Sequence, residues 1–487
     1  MKRLLQSFVA MLLFACVVFA QTNNANAPFV FTHVTVIDVT GAPSKSGMTV
    51  IIAGNRIEAI GKTGKVKTPK DAQIIDATGK FLIPGLWDMH VHTGNKEIFL
   101  PLYIANGITG VRDMGGDLEE PTGNLSIRFV QLKLWKKAIA EGTLLGPRIV
   151  AAGFMVDGAK PTWQGAIGVA NEIEARQAVD VLASLGVDFI KVYSRLSPEA
   201  YFAIADEAKK QHIPFAGHVP RTVSAMEASD AGQKSIEHFT QVLLTCSTRE
   251  SEFRQQRLEW AALPIQQARN LSRAQDKQIL DTYSEEKSTT LFAHFRKNET
   301  WQVPTLSVLR TSGFAQIDST IYDNPLIKYV PKAIRDRWNP DKIVYPLAIT
   351  PAELAGRKEL FEKYLALVSA MHRAGVEFMA GTDSANPYVV PGFSLHEELQ
   401  LFVKAGLTPM QALQSATINP AKYLNMQDEL GTIEKGKLAD LVLLDANPLE
   451  DISNTKKINA VVMNGRLLDR KTLDKMLADV EAEANKK

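Results

Sequence analysis

Short apolar segments separated by polar turns occur near both ends of this chain, and most have the length of a β-strand. They cover residues 29–36, 48–53, 74–75, 81–83, 436–445 and 458–463. Gly and Asn residues at the intervening turns are typical of β-hairpins. We therefore predict that 29–82 and 427–470 pack together as one small β-sandwich domain built from both termini.

The central part of the chain has a different pattern, in which apolar segments of strand length alternate with segments of helical periodicity. The eight apolar segments cover residues 82–92, 107–113, 147–154, 187–193, 214–218, 235–239, 303–306 and 376–383. Eight strands alternating with helices are typical of a (β/α)₈ barrel, which has about 250 residues and more when it carries insertions. We predict an α/β fold with a TIM-like barrel over 83–426.

A charged, helix-favouring segment over 245–300 lengthens the predicted barrel between its sixth and seventh strands. Function in this architecture lies at the carboxyl ends of the strands, so an insertion there could form a lid or a wall of the substrate site. A solvated pair of surface helices is an equally good interpretation of the same charges.

The first residues have the pattern of a secretory signal. Lys2 and Arg3 precede an uncharged apolar run over 8–20. These 13 residues are fewer than the roughly 20 that a helix needs to span a bilayer. We predict cleavage after Ala20 and a periplasmic or secreted mature protein with no stable membrane span. Lipid attachment at Cys16 is the alternative.

The composition of the chain limits the classes of molecule that the protein is expected to bind. The chain has 487 residues, 45% of them hydrophobic, and a formal net charge of +2. That charge disappears with the predicted signal, so the charge balance does not favour binding to nucleic acid or anionic membranes. We expect a small-molecule substrate and no nucleic acid partner, and leave open a homo-oligomer. Cys246 would be the remaining cysteine, so we interpret it as a small buried residue rather than a nucleophile.

Polar residues at the carboxyl ends of the predicted barrel strands form the most informative pattern. His90 and His92 end strand one, Lys191 strand four, His218 strand five, His238 strand six and Asp383 strand eight. Side chains repeat every two residues along a strand, so His90 and His92 project from one face. Barrel enzymes place their active sites at these ends, and imidazole and carboxylate groups suit zinc or a similar metal. Lys191 is the exception, because a buried ammonium repels cations.

The sequence around the first pair of histidines resembles the signature of the amidohydrolase superfamily. Residues 84–92 match its pattern Pro-Gly-x-x-Asp-x-His-x-His in full. Residues 107–113, 236–238 (Ile-Glu-His) and 381–383 (Gly-Thr-Asp) are similar to the branch grouped around imidazolonepropionase and Xaa-Pro dipeptidases. The resemblance extends over roughly residues 30–467, including the split sandwich.

This resemblance implies two divalent metal ions, with zinc the expected metal. In the family the strand-four lysine is carboxylated to a carbamate that bridges both metals, which would convert Lys191 from a cation into an anionic ligand. By the same resemblance His90, His92 and Asp383 would hold one metal, and His218 and His238 the other.

The expected reaction is metal-dependent hydrolysis. A bound metal lowers the pKa of water from about 16 to about 7, so a metal-bridging hydroxide is available near neutral pH. Asp383 would act as the proton shuttle. We predict an exported enzyme that cleaves an amide C–N bond in a dipeptide or N-acyl amino acid. The alternatives are the same fold acting on a cyclic amide or lactone or as a deaminase, and a non-catalytic binding barrel.

Residues outside the ligand set are harder to interpret. Tyr193 either polarises the substrate carbonyl or is a core aromatic, and Arg195 and Arg221 either bind a substrate carboxylate or lie on the surface. Asp88 is expected to orient a ligand imidazole. Residues 192–196 replace the glycine-rich segment usual in the dipeptidases, and 217–221 replace a usual His-Ala stretch. The family's substrate specificity is therefore not transferred.

Overall fold

The computed structural model describes residues 27–115, 125–163, 165–260, 263–315, 317–338 and 350–486. The predicted signal over 1–20, with Cys16 and Ala20, lies outside these residues. None of the helices in the described part of the chain is long and apolar enough to cross a membrane.

Strands occur near both ends of the described chain and alternate with helices between them. They are β1 (Phe29–Val36), β2 (Lys45–Ala53), β3 (Arg56–Lys62), β4 (Gln73–Asp76), β5 (Phe81–Pro84), β6 (Leu86–Val91), β7 (Ile108–Asp113), β8 (Arg148–Ala151), β9 (Met155–Gly158), β10 (Ile167–Val169), β11 (Ile190–Val192), β12 (Phe215–Gly217), β13 (Ser235–Glu237), β14 (Trp301–Val303), β15 (Leu441–Leu444), β16 (Ile458–Met463) and β17 (Arg466–Asp469).

The helices follow the barrel strands and extend to the C-terminal end of the described chain. They are α1 (Lys96–Ala105), α2 (Leu125–Ala140), α3 (Glu172–Leu185), α4 (Pro198–Lys210), α5 (Ala225–Asp230), α6 (Val242–Thr245), α7 (Glu250–Trp260), α8 (Ile265–Asp281), α9 (Glu285–Lys297), α10 (Leu306–Phe314), α11 (Ser319–Tyr322), α12 (Lys332–Trp338), α13 (Pro351–Arg373), α14 (Phe393–Lys404), α15 (Pro409–Ser415), α16 (Ile418–Tyr423) and α17 (Arg470–Ala484), with 3₁₀ turns at Pro325–Tyr329 and Ile452–Lys456.

The terminal strands join in one sheet with the order β17-β16-β15-β5-β1-β2-β3, in which β4 also pairs with β1. The N-terminal and C-terminal pieces meet where β15 runs antiparallel to β5, with Val442 opposite Ile83. Alternate residues of β1, such as Phe29 and Phe31, enter a separate hydrophobic cluster. A register shift between Phe31 and Val34 restores this alternation beyond the turn-like residue His33, whose φ is 58°.

The barrel closes through backbone hydrogen bonds between neighbouring parallel strands. One set of strands runs β6-β7-β8, and another runs β9-β11-β12-β13-β14 with β10 at its edge. Asp188 N donates to Ala151 O and joins the two sets. The eighth predicted strand is extended chain, which pairs with β14 at Phe378 and with β6 at Ser384. The ends of β6, β11, β12 and β13 therefore surround one opening together with the end of this eighth segment.

Two features differ from the sequence pattern. The seventh strand is Trp301–Val303, two residues earlier than predicted at its start, because residues 304–306 turn into α10. The sequence pattern also did not reveal α17, which packs against α1. In the predicted insertion over 245–300 the structure places α7, α8 and α9. Whether these helices act as a lid stays a prediction.

Tight packing between β6 and β7 gives a stability prediction. A Cβ atom added at Gly110 would overlap the indole ring of Trp87. We expect Gly110→Ala to lower the free energy of unfolding by about 1–3 kcal/mol, the usual cost of overpacking. Chemical denaturation would measure it. Gly313→Ala in α10 is the matched control, because an added Cβ meets nothing within 4 Å there and alanine favours a helix. Equal stability of both variants would contradict the prediction.

Candidate metal centre

The barrel brings the predicted ligand residues together at the carboxyl ends of its strands. His90 lies in β6 and Lys191 in β11. The other three histidines directly follow the ends of β6, β12 and β13, and Asp383 lies in the extended eighth segment. His90 and Lys191 are each 1% exposed, and His92 and Asp383 are each 9% exposed. Such burial excludes most water from groups that would otherwise be hydrated, so each needs a partner within the protein or a bound ion.

The carboxylate of Asp383 lies close to Nε2 of three histidines. Its Oδ1 atom lies 3.0 Å from Nε2 of His92 and 3.4 Å from Nε2 of His90. Its Oδ2 atom lies 3.8 Å from Nε2 of His238. Neither Oδ1 of Asp383 nor Nε2 of His90 has a hydrogen bond of acceptable geometry within the described residues. These atoms are therefore directed at a shared space rather than at each other.

The second pair of histidines borders the same space. The ring centroids of His218 and His238 are 4.9 Å apart, and those of His90 and His238 are 4.6 Å apart. Lys191 Nζ is buried and has no hydrogen-bond partner among the described residues. An isolated buried ammonium is costly, so this nitrogen is a candidate for chemical modification or for a further partner.

Each of the four imidazoles uses its Nδ1 atom in a contact away from this space. His90 Nδ1 lies 2.7 Å from Glu237 Oε2, His218 Nδ1 2.7 Å from Ser194 Oγ, and His238 Nδ1 2.6 Å from Thr305 Oγ1, while His92 Nδ1 contacts the carbonyl oxygen of Gly115. When the partner oxygen accepts from Nδ1, the proton stays on Nδ1 and the Nε2 lone pair is available to a metal. In all four rings, therefore, Nε2 is the nitrogen that can bind a metal.

These supporting residues were not identified from the sequence. Glu237 was part of the quoted Ile-Glu-His segment but received no role, and Ser194 and Thr305 gave no signal. A buried acidic residue in an apolar strand beside a ligand histidine was the one available clue for Glu237, which is 0% exposed. The two hydroxyl contacts join residues 24 and 67 positions apart, so only the fold reveals them.

Burial and the charges of the centre favour the protonation states in which histidine and aspartate bind a metal. Burial, followed by the charge of Lys191, places the pKa of His90 and of His218 well below the ordinary value. Burial alone would raise the pKa of Asp383, but His238, His92 and Lys191 lower it overall. Neutral imidazoles and an ionised carboxylate are the forms that bind metals. Burial also lowers the pKa of Lys191 to about 8.

The contact with a ligand imidazole that was predicted for Asp88 is made by Glu237, which faces His90 Nδ1. Asp88 accepts hydrogen bonds from the backbone of His90 at 3.3 Å and from Thr382 N and Oγ1 at 3.0 and 2.7 Å. It therefore ties strand one to strand eight and orients no imidazole. The prediction was wrong because the Asp88 carboxylate extends across to strand eight, whereas Glu237 on strand six faces His90.

The three predicted substrate-binding residues have different surroundings. The ring of Tyr193 stacks on His218 with centroids 4.0 Å apart, and its hydroxyl oxygen accepts from Trp163 Nε1 at 2.7 Å. Arg221 lies near enough to His218 for its charge to help lower the pKa of that histidine. Arg195 instead donates to the carbonyl oxygen of Lys160 at 2.9 Å. The structure thus brings Tyr193 and Arg221 to the centre, and directs Arg195 into the loop before β10.

Two residues of the centre have an unusual backbone. His238 has a φ of 58° and Asp383 a φ of 62°. A non-glycine residue in this left-handed region costs about 1–3 kcal/mol, and such residues cluster at functional sites. The rest of the barrel must offset that cost.

Cys246 agrees with its interpretation as a structural residue. It is free and buried, and burial raises the pKa of its thiol to about 12. A thiolate nucleophile is therefore not formed at neutral pH.

The residues of the centre fit a divalent metal site. His90, His92 and Asp383 each offer one ligand atom, and these atoms all lie within 4.8 Å of one another. Nitrogen and carboxylate atoms of this kind suit zinc and similar metals. The unpartnered atoms of His90 and Asp383 are the ones that a cation would satisfy.

The chain is similar in sequence and fold to several known proteins. Residues 332–468 match the model of the Amidohydrolase family. Ochratoxinase of Aspergillus niger is 23% identical over 431 residues, covering 78% of this chain and 73% of that protein. Bottromycin amidohydrolase aligns with a TM-score of 0.72 and 22% identity over 94% of this chain and 91% of that one. A Xaa-Pro dipeptidase with bound methionine aligns with a TM-score of 0.62 and 22% identity over 91% and 100%. The structures confirm the predicted fold class, a barrel with a β-sandwich domain.

Proposed function

We propose that this chain, which is similar to members of the amidohydrolase superfamily, is a metal-dependent hydrolase that cleaves an amide C–N bond. The observation that carries the proposal is the convergence of four imidazoles and Asp383 on one buried space beside Lys191 Nζ, which has no hydrogen bond within the described residues. The names of its relatives, ochratoxinase, amidohydrolase and Xaa-Pro dipeptidase, support an amide substrate.

We further propose that the centre holds two divalent metal ions, zinc or a similar metal. His90, His92 and Asp383 would hold one, His218 and His238 the other, and carboxylated Lys191 both. When bound, the metals would supply water of lowered pKa and polarise the scissile carbonyl.

Carboxylation is the step that makes Lys191 a ligand. The neutral amine attacks carbon dioxide, a new N–C bond forms, and the nitrogen loses a proton, which leaves an anionic carbamate. Burial favours the neutral amine, because it penalises the ammonium form of Lys191. The anion would in turn compensate the cations of the centre.

Asp383 is the proposed proton shuttle. Its ionised carboxylate lies beside the histidines and can take a proton from the attacking water. The same carboxyl group returns that proton to the leaving nitrogen as the C–N bond breaks. Its lowered pKa keeps it in the form that accepts the proton first.

The substrate class follows from the remaining polar groups. Arg221 near His218 offers a guanidinium that could bind a substrate carboxylate. A dipeptide or an N-acyl amino acid has such a carboxylate next to the amide. We propose these two classes as substrates.

The direct test is elemental analysis of the purified protein together with a screen of dipeptides and N-acyl amino acids. We expect close to two metal ions per chain and release of free amino acid. Absence of metal after incubation with zinc and bicarbonate would contradict the metal centre. Two metals without cleavage of either class would contradict the substrate assignment alone.

The position of Tyr193 leads to a prediction about the oxygen of the substrate's scissile carbonyl. The phenol stacks on His218 and accepts from Trp163, which places it beside the proposed centre, and we propose that it donates a hydrogen bond to the substrate oxygen. We expect Tyr193→Phe to lower kcat by about a hundredfold, as for loss of one oxyanion donor, with unchanged metal content. Steady-state kinetics would show this. Tyr322→Phe, at a tyrosine that is 36% exposed, is the control, and equal kcat in both variants would make Tyr193 a structural residue.

Export is a separate proposal. We propose that the signal over 1–20 is removed after Ala20, because Lys2 and Arg3 precede a short apolar run. Mass spectrometry of the protein secreted or released from the periplasm should find Gln21 as the first residue. A lipid on Cys16 would contradict cleavage at this position.

A further inference from the structure

Arg112 is a fully buried cation that belongs to no predicted ligand set. It is 0% exposed and is among the largest fully buried side chains of the described residues. Its Nε donates to Met89 O at 2.6 Å, and Nη1 donates to Ser235 Oγ and Tyr423 Oη, each at 2.9 Å. Its Nη2 donates to Glu237 Oε1 at 2.9 Å. The guanidinium is therefore held by several elements and balanced by one carboxylate.

Glu237 connects Arg112 to His90 of the proposed metal centre. The carboxylate is 0% exposed and also accepts from Ser235 Oγ at 2.6 Å. Its second oxygen, Oε2, contacts His90 Nδ1. Glu237 thus receives Arg112 and Ser235 on one oxygen and faces His90 with the other, so it acts as the acceptor of these contacts. With the proton of the last contact on Nδ1 of His90, the Nε2 lone pair is on the side of Asp383.

This support distinguishes His90 from the other three imidazoles. Their Nδ1 atoms contact a backbone carbonyl or a hydroxyl group, which are neutral. A charged acceptor orients a histidine more firmly and raises the basicity of its other nitrogen. Arg112 Nη2 lies 2.9 Å from Glu237 Oε1, so removing either partner of this buried pair would leave an uncompensated charge.

We propose that Arg112 and Glu237 are positioning residues that fix the tautomer of His90 and thereby set the affinity of the site formed with His92 and Asp383. The chain of contacts runs from Tyr423 in α16 through Arg112 and Glu237 to His90. These contacts connect α16 to the proposed ligand His90. This inference rests on the proposed function, because it concerns a metal that the centre would hold.

The test measures metal affinity and not only turnover. Zinc binding to metal-free protein, in competition with a chromophoric chelator, should be about ten- to hundredfold weaker in Glu237→Gln for one of the two metals. A changed absorption spectrum of bound Co²⁺ should accompany the loss. The control is Asp440→Asn, which removes the charge from a partly buried ion pair, where Arg148 Nε lies 2.6 Å from Asp440 Oδ2. This control should lower thermal stability and leave zinc affinity unchanged.

A double variant keeps the proposal testable if Glu237→Gln does not fold. Arg112→Met combined with Glu237→Gln removes both charges, so no buried charge is left unpaired, and it should show the same weakened binding. Wild-type zinc affinity in either variant, with two metals bound, would overturn the positioning role and leave the proposed function standing. A wild-type protein that binds no metal would overturn both.

Discussion

Asp383→Asn is expected to abolish most hydrolysis while the protein remains folded. The asparagine side chain has the same shape but cannot take up a proton at neutral pH, so the proposed shuttle between water and leaving nitrogen is interrupted. The contribution of such a general base is about 10²- to 10⁴-fold, and we expect kcat to fall by that factor.

The measurement is kcat together with metal content and thermal stability. Asp428→Asn, at an exposed aspartate, is the matched control and should behave as wild type. Substantial kcat in Asp383→Asn would remove the shuttle role. Loss of metal in that variant would instead show that the carboxylate acts chiefly as a ligand.

The second large effect is expected for Lys191→Ala, which should lose metal and activity together. Without the lysine no carbamate can form, and four neutral imidazoles and one carboxylate would face two cations. Bicarbonate or a short carboxylic acid should restore part of both, because a free carboxylate can occupy the space left by the side chain. Elemental analysis and kinetics with and without the acid would show this.

A second partly buried lysine provides the control for that experiment. Lys234 donates to Tyr423 O at 2.6 Å just before β13, at the opposite end of the barrel from the centre. Lys234→Ala should keep its metals and gain nothing from added acid. Unchanged metal content in Lys191→Ala would exclude the carbamate.

The strained backbone of the centre has a consequence for stability. His238 and Asp383 are held at positive φ, and several ionisable groups are buried around them. Proteins commonly lose stability at sites that are arranged for chemistry. Variants of the centre could therefore be more stable than the wild type, and stability alone is a poor guide to their function.

The fold class and the residues that we propose as ligands could be predicted from the sequence alone. Strand and helix periodicities are local, so the alternation of apolar segments predicted the barrel, and the terminal segments predicted the β-sandwich. The histidine pair at residues 90 and 92 was visible because two residues is the repeat of a strand. Lys191, His218, His238 and Asp383 were visible because each ends an apolar segment.

The residues that contact the proposed ligand histidines became apparent only from the three-dimensional arrangement of the strands. Glu237 and His90 are 147 positions apart, and Arg112 and Tyr423 are 311 apart. No local periodicity records such contacts, because they depend on how strands are placed around the barrel. The same reason explains why Asp88 was assigned the contact that Glu237 makes, and why Arg195 faces Lys160. The two-residue repeat along a strand predicts on which face a side chain lies. The residue that it contacts depends on which strands are its neighbours in the barrel.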